Sequence, residues 1–235
     1  SSAASDVYKR QISEFAKQNN LISIIDNTFA SPVNQNPIEL GIDLVIHSAT
    51  KYLGGHSDIL AGTVCGSHEL ISSIKKSGLN FGSNISEYVA WLLERSMKTL
   101  SVRFFTQQKN AMKLSQVLQE NKNIDRVYYP GLTGHENHDI AKKQMDGFGA
   151  VISFELNKKF NPKLFLKSLK MISPTMSFAG VESTMLSPAE TSHYLLSKED
   201  RINQGIVDNL IRFSVGIEDI EDINYDIEQA FNNCK

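Results

Sequence analysis

The sequence predicts an α/β protein in which a parallel-rich sheet comes first, long helices follow, and a smaller α+β region closes the chain. Three observations predict it. Short apolar, largely β-branched runs at 21–25, 44–46 and 61–65 suit strands of a sheet covered on both faces. Helical apolar spacing then dominates 85–118. From about residue 124 strand-like runs alternate with short helical ones.

Residues 1–11, SSAASDVYKRQ, have neither an initiator Met nor the apolar core of a signal peptide, and they show no helical stripe. They read as a non-native or disordered start, so the rest reads as the later part of a longer protein. At 12–16 the spacing is helical, with Ile12, Phe15 and Ala16 on one side. The run 21–25 reads as a buried parallel strand ending at Asp26, and 44–46 ends close to Ser48. Polar residues at such C-terminal strand ends face the crevice where open α/β sheets bind ligands. Val89, Leu92, Leu93, Met97 and Leu100 mark one long helix; Ala111, Leu114 and Leu118 mark the next. Strands are predicted at 127–129, 150–155 and 209–215. A final helix at 220–231 carries Ile220, Ile223, Ile227 and Phe231 on one stripe. The expected division is therefore 1–11, then 12–120 as part of a large domain with its connecting helices, then 121–235 as a C-terminal α+β domain.

With 41% hydrophobic and 21% charged residues, the 235-residue chain has the composition of an ordinary globular protein and needs no staples. A net charge of −2 with no basic stripe argues against nucleic acid. No apolar run is long enough to span a bilayer. Cys65 and Cys234 cannot form a disulfide framework, which suits a reducing cytoplasm, and Cys65, inside an apolar run, reads as core.

Asp26 and Lys51 stand at the ends of neighbouring predicted strands and could face one crevice. A lysine amine held near an aldehyde is the residue type that condenses with it. A carboxylate suits the ring nitrogen of a pyridoxal cofactor, because it keeps the ring protonated and able to accept electrons. Ser48 and Thr50 would turn both hydroxyls to one side of an extended chain and could donate to a phosphate ester. Gly54 and Gly55 allow a tight turn after Tyr52. Taken singly, these are the residues of ordinary surfaces and turns; the whole string changes the reading.

That string, IIDNTFASPVNQNPIELGIDLVIHSATKYLGGHSDILAG at 24–62, resembles the cofactor-lysine region of the Cys/Met-metabolism family of pyridoxal-phosphate enzymes. Four further blocks resemble the same family in order: ERSMKTLSVR at 94–103, YYPGLTGHENHDIAKKQMDGFGAVISFEL at 128–156, SFAGVESTMLSPAETSH at 177–193 and DNLIRFSVGIEDIEDINYDIEQAF at 208–231. The resemblance implies the type I fold of pyridoxal-phosphate transferases, the aspartate-aminotransferase-like α/β architecture. It implies pyridoxal 5′-phosphate on Lys51, with Asp26 at the pyridinium nitrogen and Ser48 and Thr50 on the phosphate. It also implies Arg212 as the clamp on the substrate's α-carboxylate, with Ser177 beside it. A planar guanidinium suits that task because it can donate two parallel hydrogen bonds.

Substrates implied are a homoserine ester, cysteine or cystathionine. Within the family, PGLTGHENHDIAKKQM and DNLIRFSVGIED look closest to cystathionine γ-synthases, which replace the γ-substituent of an activated homoserine with cysteine. Cystathionine γ- and β-lyases, methionine γ-lyases, sulfhydrylases and a non-catalytic cofactor-binding relative are the alternatives. Met176, Ser96 and Ala150 depart from the family pattern, Met176 where many synthases and lyases carry an acidic residue. The family's ring-stacking aromatic, phosphate loop and neighbour-donated tyrosine and arginine lie upstream of the matched region. The chain is therefore expected to hold the lysine side of a site, inactive alone, with a sheet edge and apolar surface exposed. The full-length protein is expected to be a homotetramer, a dimer of dimers. His135 and His138 lack further ligands for a metal, and Gly147 and Gly149 read as a turn rather than a dinucleotide motif. His47, His56 and Tyr52 read as structural.

Overall fold

The computed structural model describes residues 9–234, so most of the 1–11 segment lies outside the described residues. Residues Lys9, Arg10 and Gln11 do fall inside them, and they begin helix α1 (Lys9–Gln18) instead of continuing an irregular start. The inward face of α1 carries Lys9, Ser13 and Ala16, while Ile12 and Phe15 point outward. The polar pair wins that face because it is bonded. Lys9 Nζ donates to Gln35 Oε1 at 2.6 Å, and Ser13 Oγ donates to the Gly41 carbonyl at 2.7 Å.

Contacts divide the chain into two units. The first takes the described residues to Val102 together with Glu136–Phe148; the second takes Arg103–His135 and the chain from Gly149 onward. The helix at 100–120, grouped by sequence with the first domain, thus has all but its first three residues in the second unit.

The first unit holds a three-stranded sheet of β1 (Ile24–Asp26), β2 (Leu44–Ser48) and β3 (Gly62–Gly66), in that order. Strands β1 and β2 are parallel, with Asp26 opposite Ile46, but β3 runs antiparallel to β2. A parallel return needs a crossover, usually a helix. Here residues 49–61 fold straight back, closed by Thr50 N–H donating to the Ala61 carbonyl at 3.1 Å. Coverage on both faces is not found either: Ile24 and Ile46 are 58% and 40% exposed. Cys65 is likewise exposed rather than core, because no described residue covers its face of β3.

Between β1 and β2 lie the short helix α2 (Ser31–Asn34) and a 3₁₀ turn. Helix α3 (His68–Phe81), not anticipated from sequence, follows β3. Its signals are there: Ser67 caps it by accepting from Leu70 N–H, and Gly82 ends it in the left-handed region at φ 71°. Its apolar residues bury nothing, and Leu79 and Phe81 stay exposed, so no inward stripe was legible. Helix α4 (Glu87–Met97) and helix α5 (Leu100–Glu120) run where the apolar spacing put them.

The second unit is built on five strands: β4 (Ile124–Tyr128), β5 (Val151–Leu156), β6 (Ser173–Pro174), β7 (Thr184–Leu186) and β8 (Leu210–Ser214). Their order is β4-β5-β8-β7-β6, so β8 is central. Helix α6 (His138–Gln144) belongs to the first unit, whereas α7 (Pro162–Ser168), α8 (Lys198–Asn203) and α9 (Ile220–Asn233) belong to the second. The registers Ile152↔Phe213, Phe154↔Ile211 and Met185↔Phe213 put one apolar face together. The Phe165 ring lies 6.4 Å from that of Phe154 and 4.7 Å from that of Phe231 on α9. Alternation along the strands then forces Ser153, Arg212, Thr184 and Ser214 onto the opposite face. Among the described residues no helix is long and apolar enough to cross a membrane.

Candidate active site

The first unit gathers Asp26, Ser48, Thr50 and Lys51. Parallel pairing brings the C-terminal ends of β1 and β2 side by side, and Thr28 ties them. The Thr28 N–H donates to Asp26 Oδ1 at 2.9 Å, while Thr28 Oγ1 accepts from Ser48 N–H at 2.8 Å. One carboxylate oxygen of Asp26 is thus aimed by the backbone, and the residue is exposed, open to an incoming ring N–H. Behind it, burial pushes the His47 imidazole pKa below its usual value, with the Asp26 charge pulling the other way.

Lys51 lies half-buried in the turn after β2, its N–H donating to the Ser48 carbonyl at 3.1 Å and its carbonyl accepting from Gly55 N–H at 2.7 Å. Gly54 is required where the turn closes: an added Cβ would stand 2.9 Å from the Ala49 carbonyl oxygen and from Ile59. The two hydroxyls differ. Ser48 Oγ is half-buried and makes no hydrogen bond among the described residues, so its proton is available. Thr50 Oγ1 already accepts from Ala61 N–H at 3.0 Å and donates to the Ala61 carbonyl at 3.3 Å. Only that second, long bond would have to break before Thr50 could serve an anion. A carboxylate open at the ring end, an uncommitted hydroxyl and a lysine in the adjoining turn fit a pyridoxal phosphate.

The second unit gathers Ser177 and Arg212. Arg212 sits at the centre of β8, between Ser153 and Leu186. Its Nη2 donates to the Met176 carbonyl at 2.9 Å, and its guanidinium carbon lies 5.2 Å from the centre of the Phe178 ring. Partial burial lowers its pKa, yet a guanidinium remains charged. One N–H is committed and the cation is stacked, which leaves the rest of the donor fork for a planar anion. Ser177 follows Met176 directly; its carbonyl accepts from Thr184 Oγ1 at 2.9 Å.

Several supporting residues were not read from sequence. Ser214 Oγ accepts from Ala179 N–H at 2.8 Å, with Ala179 in the left-handed region at φ 67°. Glu218 accepts from Ser183 N–H at 2.6 Å and from Ser183 Oγ at 2.9 Å. Gly216 threads beneath them: an added Cβ would meet Glu218 Oε2 at 2.2 Å and the Val181 carbonyl oxygen at 2.3 Å. Ser214 was findable, being two residues from Arg212 on one face of a strand, and Thr28 stands two after Asp26. Nothing local marks Glu218. Among the described residues no cluster of three or more His, Cys, Asp or Glu side chains is placed to hold a metal ion.

Comparison with known proteins follows the same lines. The chain is 44% identical over 220 residues to cystathionine gamma-synthase 1, chloroplastic, of Arabidopsis thaliana, covering 93% of this chain and 39% of that protein. It is 46% identical over 222 residues to a cystathionine beta-lyase of Lactococcus lactis subsp. cremoris, covering 94% of this chain and 58% of the relative. It therefore spans well under two thirds of the length of these curated relatives. The solved structure of cystathionine gamma-lyase from Lactobacillus plantarum, complexed with L-serine, superposes with a TM-score of 0.92 at 40% identity. That match covers 96% of this chain and 60% of the other. The architecture is accordingly a partial type I pyridoxal-phosphate fold. The family model described as "Cys/Met metabolism PLP-dependent enzyme" matches residues 4–232, reaching further forward than the motifs suggested, and the chain belongs to that family.

Proposed function

We propose that this chain carries the cofactor-lysine side of an enzyme that makes or breaks carbon–sulfur bonds in amino acids. Within the family, the reading is cystathionine γ-synthase-like: an O-activated homoserine exchanges its γ-oxygen substituent for the sulfur of cysteine. The observation that carries it is the Asp26–Thr28–Ser48 link with Lys51 in the adjoining turn, an arrangement suited to hold both ends of one pyridoxal phosphate.

When bound, the cofactor supplies an aldehyde carbon that amines condense with and a ring that accepts electrons from the substrate. The residues of this chain would supply one side of the site. Asp26 holds the proton on the ring nitrogen. Ser48 donates its hydroxyl proton to the phosphate ester, and Thr50 joins it if its Ala61 bond opens. Lys51 would hold the aldehyde carbon of the cofactor, and its amine, when free, would act as the base that moves the proton from the substrate Cα. Arg212 takes the α-carboxylate through its uncommitted N–H groups, with Ser177 beside it. The full-length assembly is proposed as a homotetramer of dimers. The exposed Leu79, Phe81, Tyr88 and Trp91 of the first unit are consistent with burial in such an assembly.

The test is chemical trapping. The purified chain is mixed with pyridoxal phosphate, reduced with borohydride and mapped by mass spectrometry. Modification confined to Lys51 and lost in Lys51→Ala is expected. Scattered labelling of surface lysines, or none, would mean that this chain alone forms no site, and failure of the same test on the chain extended to the length of its relatives would overturn the cofactor assignment. An O-acylhomoserine supplied with cysteine, to the chain extended to the length of its relatives, then separates the reactions. Cystathionine as product supports the synthase reading, and an oxo-acid with ammonia replaces it by a lyase.

A further inference from the structure

Helix α5 buries Phe104, Ala111, Leu114 and Leu118, and among them the polar Arg103, Gln107, Asn110 and Ser115. Gln107 is 0% exposed. Its Nε2 donates to the Gly180 carbonyl at 2.6 Å and to the Val215 carbonyl at 3.2 Å. Its Oε1 is buried with no hydrogen-bond partner. The amide orientation is chemically forced, since two carbonyl oxygens face it and only the NH₂ end can donate to both. An apolar residue there would bury no orphan acceptor, so what the amide adds is the tie between those two carbonyls.

Both tied carbonyls border the Arg212 clamp. Val215 follows Ser214, whose hydroxyl holds Ala179 in its left-handed turn, and Gly180 follows Ala179. The loop 176–180 is therefore fastened to β8 at its start by Arg212 on the Met176 carbonyl, at Ala179 by Ser214, and at its end by Gln107. Phe178, the ring beneath the guanidinium, rides on the same loop.

We propose that Gln107 is a positioning residue for the substrate-carboxylate clamp. By tying Gly180 to Val215 it closes the 176–180 loop on β8, so that Arg212 presents its uncommitted N–H groups in one direction. Without the tie, the loop and Phe178 loosen, and Arg212 must be ordered again each time a carboxylate binds. The proposal rests on the reading that Arg212 receives the α-carboxylate of an amino acid.

Gln107→Met keeps the length and helix propensity of the side chain and removes both donors. In the full chain, amide exchange at Ala179 should quicken about fivefold to tenfold, the scale of one net hydrogen bond, while Ile152 and Phe213 keep their protection. The Arg212 Nε–H resonance should broaden, and the apparent Kd for L-norleucine, read from that resonance with pyridoxal phosphate present, should rise about tenfold. Unchanged Ala179 exchange together with an unchanged Arg212 resonance would overturn the proposal. In the unsubstituted chain the Gln107 NH₂ protons should exchange far more slowly than those of a surface glutamine; rapid exchange there overturns the proposal even if the variant does not fold. Should L-norleucine leave the Arg212 resonance of the unsubstituted chain unmoved, the carboxylate reading fails, and the exchange data still judge the tie.

Discussion

Truncating Asp226 to alanine should cost the second unit about 4 kcal/mol. The carboxylate lies on the inner face of α9, 3% exposed, and accepts from three consecutive backbone N–H groups. Those of Lys170, Met171 and Ile172 reach it at 2.8, 2.9 and 2.8 Å, and Gln229 Nε2 adds a fourth bond at 2.8 Å. After truncation the part-buried Lys170 and Met171 donors can turn to water, at about 1 kcal/mol each. The Ile172 N–H is buried and is left without an acceptor, at about 2 kcal/mol. Asp226→Asn keeps one acceptor oxygen and should lose about half as much. Tryptophan fluorescence would miss the effect, because the single tryptophan, Trp91, lies in the first unit. Hydrogen exchange of peptides from β5 and β8, followed through a urea series, reads the second unit directly. A loss below about 1 kcal/mol for Asp226→Ala would refute the reasoning, because it would mean that these donors need no carboxylate.

Three further outcomes are expected. Ala179→Gly removes a left-handed alanine, worth about 1–2 kcal/mol, against about 0.4–1 kcal/mol of extra unfolded-chain entropy, so the urea midpoint of β8 peptides should rise slightly. Arg212→Lys exchanges a planar fork for a point charge and should weaken amino-acid binding by about tenfold or more in a titration, with labelling of Lys51 unchanged. Burial pushes the Lys9 amine from its ordinary 10.5 down to about 8, so between those values the unfolded chain holds a proton that the folded one has released. The burial penalty thus stands in full below about pH 8 and is relieved as pH climbs toward 10.5, where stability rises. Lys9→Met should flatten that rise in Trp91-monitored urea midpoints, and an unaltered slope would count against it.

Much of this protein was written locally. The two long helices after residue 85, the strands β4, β5 and β8 and the last helix followed from apolar periodicity, most plainly where an element buries a stripe, as Ile223, Ile227 and Phe231 of α9 do, whereas the short β6 and β7 were not read. Motif order alone identified the family, and the placement of Asp26 beside Ser48 followed from two short runs pairing in parallel. What periodicity misjudged were elements whose apolar residues face outward. Helix α3 buries nothing, β3 exposes Cys65, and α1 turns Lys9 and Ser13 inward, because hydrogen bonds to Gln35 and Gly41 offset the burial of those polar groups.

The sequence by itself determined the family, the cofactor lysine to be tested and the alternation that sets Arg212 on the face opposite Ile211 and Phe213. Tertiary structure alone decided that β3 returns antiparallel, that Thr50 is half committed to Ala61, that Gln107 donates to Gly180 and that Glu218 accepts from Ser183. The reason is range: periodicity and motifs report on neighbours along the chain, whereas Gln107 meets Gly180 and Val215 across 73 and 108 residues. Which carbonyl a buried amide will find is fixed only when those segments have packed.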